Sequence, residues 1–138
     1  MRTFMSAENL KNRTKQFALS IIKLVEDIPG GSAADILGPS LLQAGTSVAA
    51  HYRAACRAKT TTEYVAKLDA VEDEIDASIF LIEVLLESGK IPAETARPLL
   101  EEAGELLTIT VAAANTVKRD SGTIPSTSLP LNAKQGPH

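Results

Sequence analysis

Apolar residues recur along the chain at alternating spacings of three and four, which places them on one face of an α-helix. In the first run Leu10, Thr14, Phe17, Ile21, Leu24 and Ile28 form the seam, and Ile22 and Val25 widen it. Ser6 is placed to cap its start, and Pro29-Gly30-Gly31 ends it. The second run, capped by Ser32 and reaching about Ala58, sets Ile36, Leu37, Leu41, Leu42, Val48, Tyr52 and Cys56 among many small residues. Pro39 lacks an N–H, so regular helix is expected to begin there, with Ala33–Gly38 as a separate turn. Antiparallel pairing about Gly31 brings Gly45 near the level of Phe17.

Thr60 and Glu63 make a capping box for the third helix, which Gly89 terminates. Its expected seam is Leu68, Glu72, Ile75, Ile79, Ile82 and Leu86. A fourth helix follows Pro92, with Pro98 as a second candidate start for its regular part, and Leu99, Ala103, Leu106, Thr110, Ala113 and Val117 form its seam. Four helices joined by short turns pack as antiparallel neighbours. The expected fold is therefore all-α, an antiparallel up-down-up-down four-helix bundle over residues 6–119. Residues 1–5 read as a flexible lead-in and 120–138 as a flexible tail.

Composition narrows the function more than the fold. At 138 residues the chain suits one domain, and its 4% aromatic content favours packed helices over a β architecture. The net charge of −3 gives no general affinity for nucleic acid. A single cysteine, Cys56, excludes an internal disulfide and a multi-thiolate metal site. The first residues lack the apolar core of a signal peptide, and no apolar run spans a bilayer. The chain thus reads as soluble and cytoplasmic, with no membrane partner.

The half of the third helix after Ile75 is apolar on several sides. With Leu86 taken as core-facing, Phe80, Leu81, Val84 and Leu85 point sideways or outward. Leu19 and Ile22 of the first helix lie at the same end of the bundle, so the six residues predict an apolar patch that drives self-association.

Glu72 falls on or beside the third seam, about 40° from its centre, where a buried carboxylate must be paired or hydrogen-bonded; the alternative is a flank carboxylate that reaches solvent. Thr46, Ser47 or Thr110 are its expected donors, or a basic residue across a subunit interface. A di-iron centre needs Glu-x-x-His pairs on two helices, and neither His51 nor His138 follows a Glu at that spacing. His51, Tyr52 and Arg53 are successive helical residues, which diverge by about 100° and do not converge as a catalytic cluster. No catalytic, cofactor or metal site is assigned. Arg53, Arg57, Lys59 and Lys67, with Lys11, Arg13 and Lys15, form a candidate basic belt for RNA or DNA contact. A solvated face or salt bridges to a neighbouring subunit's acidic run are favoured over that role.

Ser47-Val48, Tyr52-Arg53-Ala54-Ala55, Arg57-Ala58 and the acidic run Glu72–Asp76 resemble the bacterial four helix bundle protein family, related to the protein encoded in intervening sequences of 23S ribosomal RNA genes. The resemblance covers about residues 8–119. It implies a ring-like homopentamer, and it implies no established activity. Where the broader family carries Asn-Ile-x-Glu-Gly, this chain has His51-Tyr52-Arg53-Ala54-Ala55, so no role resting on that Glu or Gly carries over. Some related bundles are basic nucleic-acid accessory proteins, and this acidic chain does not share their charge. The expected function is a non-enzymatic scaffold or interaction module whose partner is itself. The alternative is a nucleic-acid-associated accessory protein.

Overall fold

A computed structural model describes residues 6–120. The expected lead-in over 1–5, and the expected tail beyond Asp120, lie outside the described residues. The described residues form α1 (Ala7–Glu26), α2 (Ser32–Cys56), α3 (Thr61–Glu87) and α4 (Ala93–Asp120), joined by short turns. Each helix packs most on its neighbours in sequence, and α1 meets α4 only lightly. The result is the expected up-down-up-down bundle, with α1 and α3 parallel on one diagonal.

The helix ends follow their residues. Ser6 Oγ accepts from Asn9 N–H at 3.1 Å, and Thr60 Oγ1 accepts from Glu63 N–H at 3.0 Å. Glu63 reaches back to the Lys59 N–H, one residue earlier than a standard capping box. The N-cap of α2 is Gly31 rather than Ser32; its φ of 142° is a conformation that disfavours a side chain. Gly89, at φ 80°, closes α3 in a Schellman arrangement, with Gly89 N–H bonded to Leu86 O and Lys90 N–H to Leu85 O.

Two proline expectations change. Regular helix passes through both Pro39 and Pro98. Each proline removes the bond to the carbonyl four residues earlier, at Asp35 and Glu94. All four of these residues are exposed, so water can take the lost donor's place.

The third seam is also rotated from its expected setting. The buried positions of α3 are Leu68, Val71, Ile75, Ser78, Ile82 and Leu85, beside Thr61 at its start. Leu68, Ile75 and Ile82 are common to both settings. The choice between Val71, Ser78, Leu85 and Glu72, Ile79, Leu86 turns on polar groups. Ser78 satisfies its hydroxyl by donating to Glu74 O at 2.9 Å, whereas an unpaired carboxylate has no such local partner. Thr14 and Thr110, also buried, use the same device towards Leu10 O and Leu106 O. On α4 the buried residue is Ala114 where Ala113 was expected.

Gly45 packs on Ile21, about one turn above the expected Phe17. A Cβ there would lie 2.8 Å from Ile21 Cγ1 and 3.1 Å from Ile21 Cβ. Ile21 is β-branched and fully buried, so it has little room to yield. Gly104, inside α4, meets nothing within 4 Å of an added Cβ. Gly45→Val is therefore expected to destabilise the bundle by about 1–3 kcal/mol, while Gly104→Ala stabilises it by about 0.5–1 kcal/mol. Thermal or urea unfolding checks the pair; equal effects at both sites would contradict the packing.

Candidate functional site

The residues expected to self-associate divide into two groups on α1 and α3. The buried face of α1 is carried by Leu10, Phe17, Ile21 and Leu24. At about 100° per residue, Leu19 lies roughly opposite that face, and it is 50% exposed. Ile22, beside it, is half-buried. Phe80 lies roughly opposite the core face of α3 by the same geometry, and is 62% exposed. Leu81 and Val84 are half-buried. Leu85 does not face outward. It is wholly buried in the chain's own core, because the observed setting of α3 makes it a seam residue.

The expected single patch is thus two. Leu19 and Ile22 face away from the bundle on α1, and Phe80 with Val84 faces away on α3, diagonally across the core. Ile36, near the start of α2 and 65% exposed, is a further outward apolar residue. It is one of the apolar positions of the second run, and its neighbour Leu37 is the one that packs against the core.

Glu72 is half-buried beside the core rather than within it. Two of its three expected donors are engaged elsewhere, Thr46 Oγ1 donating to Leu42 O and Thr110 Oγ1 to Leu106 O, both at 2.7 Å, and the third, Ser47, makes no hydrogen bond to it. Partial burial raises the Glu72 carboxyl above its ordinary pKa, and Asp69 raises it further; Lys118 of α4 opposes the shift.

The basic belt is brought together only in part. Arg53, Arg57 and Lys59 are exposed near the end of α2, and Arg57 Nη1 donates to Arg53 O at 3.4 Å. Lys67 is half-buried on α3. Arg13 instead faces α4, where its guanidinium grips Glu102 through Nε at 2.9 Å and Nη2 at 2.6 Å, and reaches Glu105 at 2.8 Å. This two-carboxylate clamp ties α1 to α4 where their apolar packing is light. Sequence spacing on α1 does not reveal it, because its partners lie about 90 positions away.

His51 Nε2 stands 3.9 Å from Glu74 Oε2, an acid that only the packing of α2 on α3 supplies. Tyr52 is buried next to the exposed Cys56; burial first, then Cys56 and Tyr64, hold its phenol well above the ordinary range. Among the described residues no three His, Cys, Asp or Glu side chains converge on a metal-sized site, and no helix is long and apolar enough to cross a membrane.

No family model matches the chain, and no curated protein matches it in sequence. A solved structure of similar fold is a protein of unknown function from the S23 ribosomal protein family of Bacteroides thetaiotaomicron. The match has a TM-score of 0.69 and 19% identity, covering 76% of this chain and 97% of that one. The two share the four-helix fold, which is consistent with the resemblance carried by the sequence motifs.

The state of Glu72 is directly testable. Its folded pKa lies above the unfolded one, so its contribution is most favourable below about pH 4.5 and is lost as pH rises through the folded pKa. Glu72→Gln is expected to raise the unfolding midpoint at about pH 7 and to match the wild type near about pH 4. Lower stability of Glu72→Gln at neutral pH would mean that the carboxylate is held by a stabilising partner.

Proposed function

We propose that the chain is a non-enzymatic scaffold or interaction module that works as a cytoplasmic homo-oligomer, a ring of five copies. The observation that carries self-association is the pair of outward apolar groups on opposite sides of one small bundle, Leu19 with Ile22 and Phe80 with Val84. Two unlike faces mate head to tail, and a head-to-tail contact closes into a ring when its rotation permits. The number five rests on the family resemblance alone. A non-enzymatic role is favoured by the dispersal of reactive groups: His51 has an acid beside it, and among the described residues neither Cys56 nor a serine makes a hydrogen bond to it.

A second reading, binding of RNA or DNA, is favoured by Arg53, Arg57 and Lys59. Their side chains are exposed and form no ion pair with a carboxylate among the described residues. It predicts salt-dependent binding that weakens when Arg53 and Arg57 are both replaced by Ala; binding indifferent to that change would remove the belt from consideration.

For the leading proposal, Phe80→Glu places a charge in the apolar contact while leaving the core intact. The variant is expected to sediment as a folded monomer under conditions where the wild type is oligomeric. A helical variant with unchanged mass would show that Phe80 is not at the contact.

A further inference from the structure

The positions of charges on α1 and α3 specify how two copies would meet. Packing ties within one chain fix the relative heights of these helices. Gly45 of α2 lies against Ile21, and Gly38 lies against Val25. On the other side of α2, His51 faces Glu74. Moving from His51 back to Gly45 along α2 corresponds to moving from Glu74 up to Phe80 along antiparallel α3. Ile21 and Phe80 are therefore at similar heights, and continuing to Gly38 sets Val25 level with Glu87. The two ties give an offset of about 60 positions between the parallel helices α1 and α3, uncertain by less than one turn.

With that offset, the outward stripes match step by step. Descending α1 from its C-terminal end, the stripe reads Ile22, Leu19, Lys15, Lys11. Descending α3 at the same heights it reads Val84, Phe80, Asp76, Asp73. Apolar stands level with apolar, and cation with anion. Lys15, Asp73 and Asp76 are exposed and Lys11 is half-buried, and none of the four has an ion-pair partner within the chain among the described residues. The segment of α3 from Leu68 to Glu87 carries seven carboxylates and no lysine or arginine, so no cation lies within one helical turn of Asp73 or Asp76 on their own helix.

We propose that α1 of one copy lies parallel to α3 of the next. Leu19 packs against Phe80, and Lys15 and Lys11 pair with Asp76 and Asp73. This rests on the homo-oligomeric proposal and supplies its contact. A second copy suits both stripes at once: its α1 offers the cations that this stretch of α3 lacks, and apolar side chains to cover Phe80 and Val84, at matching heights and in the same direction. The contact joins two different faces, so each protomer uses one stripe on each side, as a cyclic assembly requires. The apolar upper half supplies the attraction, and the charged lower half fixes the vertical alignment, because sliding by one turn sets Phe80 against Lys15 in one direction and Asp76 against Leu19 in the other.

Charge exchange tests the pairing. Lys15→Glu and Asp76→Lys are each expected to raise the concentration at which the oligomer dissociates by about tenfold, and the double variant to return it close to the wild-type value. Light scattering over a dilution series provides the readout, with circular dichroism to verify folding. In a Cys56→Ala background, Lys15→Cys combined with Asp76→Cys should form disulfide-linked multimers, whereas either cysteine alone should not. The two positions face away from each other within one chain, so any bond between them joins copies. An oligomeric wild type whose single variants dissociate normally, or whose double variant is no better than the singles, overturns this alignment and leaves self-association standing. Absence of cross-linking in a confirmed oligomer does the same. A wild type that remains at 14.6 kDa at every concentration overturns both.

Discussion

Everything outside the core depends on the rotational setting of α3 about its own axis. Three of its core residues, Leu68, Ile75 and Ile82, fit either of two adjacent faces, and the remaining positions decide between them. One face would bury the Glu72 carboxylate, and the other buries Ser78, whose hydroxyl bonds within its own helix. The cost of an unpaired buried charge exceeds that of a satisfied hydroxyl by several kcal/mol or more. The serine face therefore goes inward. Leu85 follows it into the core, while Phe80, Asp73 and Asp76 turn outward.

That setting also explains why the chain has two apolar outward groups. Once Phe80 points away from the core on α3, its counterpart Leu19 on the diagonal helix α1 cannot share a patch with it. The bundle lies between them. A monomer so constructed exposes Leu19 and Phe80 on opposite sides, besides Ile36 on α2, and among the described residues Leu19 lies beside unpaired lysines and Phe80 beside unpaired aspartates. On the proposed reading these two faces meet another copy, and the bundle between them sets their separation and relative height.

The sequence made the number and order of the helices legible because their seams are long, strongly periodic and separated by glycine and proline. Capping at Ser6 and Thr60 was equally readable, since those bonds are local. Proline was misleading: Pro39 and Pro98 suggested helix starts, whereas a proline on a wet face costs only a bond that water can replace. The third seam was ambiguous because a spacing of three or four from the same residues marks either side, and only the self-bonding of Ser78 separates them. Contacts between distant helices, such as Arg13 with Glu102 and His51 with Glu74, had no local signature. The apolar positions of the candidate contact were mostly identifiable by excess hydrophobicity, but their division into two faces required the diagonal placement of α1 and α3.

Native mass spectrometry of the full chain tests the central claim, that these two faces mate into a closed ring. A single dominant assembly of about 73 kDa, five times the 14.6 kDa chain, is the expected result, with its size unchanged as concentration rises. A 14.6 kDa species alone, or a ladder of ever larger assemblies without a preferred size, would contradict it.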